Sequence, residues 1–137
     1  MTQEERIQKI NWLNRALRAE QNVQALREKA ERDSSSAERI SRGMSGGSSG
    51  SFGNTTESCI IRLAETKEQL RAARRELAAI RREIADAIGQ LADPTLRELM
   101  EQRYLSYEKF SDIAVKMHYD DRTIRRKHNR ALEKICP

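Results

Sequence analysis

The chain has 137 residues, of which 37% are hydrophobic, only 4% aromatic and 34% charged, with a formal net charge of +5. That is apolar-poor for a globular protein, which argues against one large core and for elongated helices burying a narrow stripe. Runs of alternating β-branched and aromatic residues, an apolar stretch near the ~18 residues of a membrane span, and the apolar segment of a secretory leader are all missing, so the expectation is an all-α, cytoplasmic protein.

Residues 1–32 read as a first stem helix. Trp12, Ala16, Ala19, Val23, Leu26 and Ala30 recur at heptad steps, and Ile10, Leu13 and Leu17 widen the stripe. Trp12 reads as a buried anchor. With so many alanines in the seam, this helix needs a partner helix to be stable. Residues 33–56 follow as a flexible connector, because Ser34-Ser35-Ser36 and the Gly/Ser-rich run from Gly43 to Gly50 offer little to bury. Residues 57–92 form a second stem helix with the clearest period in the chain. Leu63, Leu70, Leu77, Ile84 and Leu91 repeat as heptads, and Ala73, Ile80 and Ala87 fill the alternate seam. The simplest arrangement is an antiparallel, coiled-coil-like hairpin. Pairing between chains, with self-association through the stem, is the other solution open to this pattern. Cys59 reads as a seam residue, and Cys59 and Cys136 as free thiols of a reducing compartment.

Residues 93–137 read as a small C-terminal domain. Asp93 is a helix cap and Pro94 suits the first helical position, starting a helix to about Leu105. In the next pattern Phe110, Ile113, Ala114 and Met117 share one face, ending at a short turn, His118-Tyr119. Asp120 is the next cap, and a last helix spans 121–135. Between Arg122 and Lys134 stand six basic residues and one acidic, so the remainder of the chain sums to zero. The positive field is therefore confined to one helix, the footprint of a polyanion partner. Ile124, His128, Ala131 and Ile135 form its inner stripe, with His128 a packing residue. Arg122, Arg126, Asn129 and Arg130 lie opposite. Arginine bridges two acceptors of guanine and asparagine pairs with adenine in the major groove of double-stranded DNA. Arg122, Arg126 and Asn129 are thus candidates for reading bases, and Lys127 and Arg130 for phosphates.

The run Phe110-Ser111-Asp112-Ile113-Ala114, the turn, and Asp120-Asp121-Arg122-Thr123-Ile124-Arg125-Arg126 through Arg130-Ala131-Leu132-Glu133-Lys134-Ile135 resembles region four of bacterial sigma factors, a helix-turn-helix. The stem, connector and C-terminal motif together are similar to small phage late-gene transcription regulators of the ArpU and RinA type. The resemblance implies base contacts at Arg122, Thr123 and Arg126, with Arg125 and Arg130 near the backbone. It further implies a DNA-binding regulator in the bacterial host cell, an activator of late genes, with host RNA polymerase as a possible partner. Two positions depart from the family pattern: His118 stands where glycine is favoured, and Lys109 where a serine cap is usual. Lys109 is placed instead to reach a phosphate. A DNA-packaging recognition subunit and a coiled-coil adaptor without DNA binding are the alternatives. No spacing of His, Cys or carboxylates suggests a metal, no phosphate loop or catalytic set is present, and neither a cofactor nor an enzyme is expected.

Overall fold

The computed structural model describes residues 1–43 and 51–137. Its elements are helices: α1 (Gln3–Leu13), α2 (Arg15–Gly43), α3 (Ser51–Gly89), α4 (Pro94–Tyr104), α5 (Phe110–Met117) and α6 (Asp121–Lys134). Among the described residues there is no strand, and no helix is long and apolar enough to cross a membrane. The chain divides into two compact units. One comprises Met1–Ala19 with Leu77–Pro137, the other Glu20–Glu76.

In the unit Glu20–Glu76, burial follows the heptad. Val23 of α2 is buried, as are Cys59, Thr66, Leu70 and Ala73 of α3, at alternating steps that keep one face inward. Thr66 Oγ1 donates to Asp33 Oδ2 at 2.8 Å. Asn22 and Leu26 share a groove with Gln69, Ala72, Ala73 and Glu76. Together these contacts make α2 and α3 antiparallel neighbours within one chain. The connector expected over 33–56 is corrected here. Helix α2 continues through Ser34-Ser35-Ser36 to Gly43, and α3 already begins at Ser51; residues 44–50 of that connector lie outside the described residues. The reason is that the seam does not stop at Ala30. Asp33, Ala37 and Ile40 continue its three-four steps and are half-buried, and packing of a continuous face outweighs the modest helix propensity of serine.

In the other unit, Thr2 opens α1 with a capping box. Its hydroxyl accepts from the Glu5 amide while the Glu5 carboxylate accepts from the Thr2 amide. Asn14 separates α1 from α2, yet its amide reaches Ile10 O at 2.9 Å and its carbonyl accepts from Arg18 at 3.1 Å, so backbone hydrogen bonding continues through the joint. The anchor on this face is Leu13, fully buried, and not Trp12. Trp12 is half-buried at the edge of the core, with the Arg15 guanidinium 5.7 Å from its ring centroid.

Leu13 and Ala16 pack with Ile80, Ile84 and Ile88 of α3, Leu96, Met100 and Tyr104 of α4, and Ala131, Leu132 and Ile135 at the end of α6. Each such large apolar side chain contributes about 1.5–3 kcal/mol by leaving water. The boundary expected between 92 and 93 is therefore not one. The C-terminal helices share a core with both outer segments of the expected stem, because the end of α6 and the inner face of α4 pack together with Leu13, Ala16, Ile80, Ile84 and Ile88. Helix α3 ends in a tightened turn, Leu91 N to Ile88 O at 3.0 Å. Asp93 then caps α4 by accepting from the Thr95 amide at 2.9 Å, with Pro94 in the first turn.

Candidate nucleic-acid interface

Helices α5 and α6 are joined by three residues, and local chemistry fixes both ends of the joint. His118 takes the left-handed conformation, φ 61° and ψ 39°. Its amide bonds Val115 O at 3.3 Å and the Tyr119 amide bonds Ala114 O at 3.0 Å, the pair of reversed bonds that closes a helix at a left-handed residue. Asp120 then starts α6. Its carboxylate accepts from the Thr123 amide at 2.8 Å. Hydrogen bonds from the Thr123 hydroxyl and amide hold the Asp120 carboxyl below its usual pKa, with a smaller contribution from the Arg122 charge. At the start of α5, Lys109 makes no side-chain cap bond, so that end rests on packing of Phe110, Ile113 and Ala114.

The apolar side of α6 is locked down. Ile124 joins Leu99, Ile113 and Ala114 in one cluster, while Ala131, Leu132 and Ile135 enter the main core. Between them His128 is 4% exposed. A 2.6 Å hydrogen bond joins its Nε2 to Tyr104 Oη, and the Phe110 ring meets it edge-on at 4.9 Å. Burial is the main force pushing His128 down to about 4, helped by the charges of Arg6 and Arg103. Burial likewise raises the Tyr104 phenol to about 12, against the pull of those arginines. The pair is therefore neutral at physiological pH and serves as a polar pin between α4 and α6.

Opposite this pin, Arg122, Arg126 and Arg130 are exposed, spaced by four residues along one stripe. None of the three has a hydrogen bond or ion pair among the described residues. Over eight residues the stripe runs roughly 12 Å along the helix. The other expected contacts divide. Thr123 is half-buried, and its amide donates to the Asp120 cap. Asn129 is exposed, but its Oδ1 accepts from Arg6 Nε at 3.1 Å, so α1 engages the amide expected to read a base. The Lys127 ammonium lies 4.9 Å from the centroid of the Tyr119 ring, half-buried rather than extended to a phosphate. Lys109 is exposed at the start of α5. Arg125 points to the side of α6 that faces α1 and lines a cleft there with Arg6 and Arg103.

The periodicity of the sequence does not disclose Arg6 or Arg103 as members of this cationic surface. Arg6 reaches it only because α1 docks on α6, where Lys9 Nζ also donates to Leu132 O at 2.8 Å. Among the described residues, no group of three or more His, Cys, Asp or Glu side chains is arranged to hold a metal ion. Compared with protein-family models, with curated proteins and with solved structures, the chain matches none.

Proposed function

We propose that this protein is a sequence-specific regulator of transcription that binds double-stranded DNA through a C-terminal helix-turn-helix, with α6 lying in the major groove. One observation carries the reading: an amphipathic helix whose inner face is fixed by Ile124, His128, Ala131 and Leu132 holds Arg122, Arg126 and Arg130 outward, their side chains in no hydrogen bond or ion pair among the described residues. Unpaired guanidinium groups on a rigid element are pre-organised for guanine edges and phosphates. Arg122 and Arg126, nearest the helix start, read bases in this arrangement, and Arg130 and Lys109 position the backbone. The resemblance to phage late-gene regulators of the ArpU and RinA type extends the proposal to activation of phage late genes and to contact with host RNA polymerase. Self-association in the same reading uses the outer surface of the stem, where Ile60 and Ile61 are exposed, since the α2–α3 seam is taken within one chain.

Selection of bound sites from random duplexes, followed by gel shifts, tests it. Arg126→Ala weakens binding to the selected site by roughly 1–3 kcal/mol and relaxes preference at one base position. Arg130→Ala weakens all sequences alike and reduces the salt slope by about 1. Recovery of no enriched site, or equal losses on selected and random DNA for Arg126→Ala, rules the reading out.

A further inference from the structure

Beside the exposed stripe, on the flank of α6 that faces α1, lies a cleft of about 350 Å³. Three arginines line it, Arg6 from α1, Arg103 from α4 and Arg125 from α6, and no carboxylate does. Arg6 spends its Nε on Asn129. Arg103 spends one Nη on the Glu108 carbonyl at 2.9 Å, and its guanidinium carbon sits over the Phe110 ring, 4.2 Å from the centroid. Arg125 has no hydrogen bond or ion pair among the described residues. The floor is aromatic, formed by Tyr104, Phe110 and His128. Three like charges drawn together without a counter-charge are mutually repulsive unless an anion joins them. The neighbouring histidine already responds to this field, since Arg6 and Arg103 both oppose its protonation.

We propose that this cleft is a binding site for a phosphate ester, with Arg6, Arg103 and Arg125 converging on the phosphate oxygens. Guanidinium groups suit this anion because their forked donors match two oxygens at once. The volume lies at the lower end of the roughly 300–1,000 Å³ of small-molecule sites, enough for a mononucleotide-sized body whose ring lies on the aromatic floor. The same chemistry is offered by a free phosphorylated molecule or by a backbone phosphate of nucleic acid. The site does not depend on the DNA-reading role of the exposed stripe.

The test uses the full chain with inorganic phosphate, adenosine 5′-monophosphate and a short random-sequence duplex as probes. The ring resonances of His128 and Phe110 are followed by NMR. Phosphate and the mononucleotide shift them saturably. Arg6→Gln and Arg125→Gln each weaken mononucleotide binding by about tenfold, the loss of one charge-assisted contact. Arg82→Gln, which removes the same charge from an exposed position on α3, leaves it unchanged. Thermal melting by circular dichroism confirms that each variant is folded. Competition between duplex and mononucleotide identifies the ester as a backbone phosphate; simultaneous binding identifies a free phosphorylated ligand. The proposal is overturned if neither small anion moves these resonances up to tens of millimolar, or if Arg125→Gln and Arg82→Gln weaken binding equally. A mononucleotide that binds while no duplex binds at any salt concentration leaves the cleft intact and removes the DNA reading of α6.

Discussion

Two histidines have opposite relations to their surroundings. His128 has a folded-state pKa of about 4 against an ordinary 6.5, so the folded protein excludes a proton that the unfolded chain accepts. The stability this neutral group provides is fully present above pH 6.5. It declines as the pH falls, because the unfolded state gains a proton first, and is exhausted near pH 4. The full change amounts to roughly 3 kcal/mol. Urea unfolding across this range shows the decline, and His128→Gln, which keeps a partner for Tyr104 but does not titrate, flattens it. His118 by contrast is exposed and strained, at φ 61°. A non-glycine residue there costs about 1–2 kcal/mol, of which glycine gives back part through the entropy of its unfolded state. His118→Gly therefore stabilises the protein by about 0.5–1 kcal/mol; unchanged or lower stability in urea counts against the strain.

Helices with chemical end signals are the ones whose limits a reader of the sequence finds. The Asp93-Pro94 start and the Asp120 start both stand where their carboxylates promised, and Asp93→Ala lowers stability to urea by about 1 kcal/mol through loss of the cap. Faces were legible for the same kind of reason. The 3.6-residue period alone separates Ile124, His128 and Ala131 from Arg122, Arg126 and Arg130. What a period does not encode is which element meets which. Nothing in the spacing of Arg6 or Lys9 announces that they bond to Asn129 and to the Leu132 carbonyl, so Asn129 looked free. Thr66 was hidden for another reason. A hydroxyl at a seam position reads as a gap in the apolar stripe until Asp33 is seen to accept from it. The serines after Arg32 likewise suggest a linker by composition, whereas the seam passing through Asp33, Ala37 and Ile40 keeps them helical.

For the molecule as a unit, the shared core predicts the behaviour of its pieces. A fragment of residues 93–137 bares Leu96, Met100, Leu132 and Ile135, which pack with Leu13, Ile84 and Ile88 in the intact chain. It lacks the dispersed NMR spectrum of the full protein; a fragment that folds fully by itself would show that the outer segments are dispensable. Conversely, Ile84→Ala, far from α6 in sequence, lowers stability to urea by about 2–5 kcal/mol through the cavity it leaves. The bond from Lys9 to Leu132 joins residues 123 positions apart, and this separation has a consequence for biosynthesis. As the chain grows, α1 is made long before the α6 surface on which it docks. The hairpin of α2 and α3, built on nearer contacts, closes before α6 is made, and the arginine-bearing unit waits for that last contact. A nascent chain stalled before residue 121 thus carries the α2–α3 hairpin but no α6 for α1 to dock on.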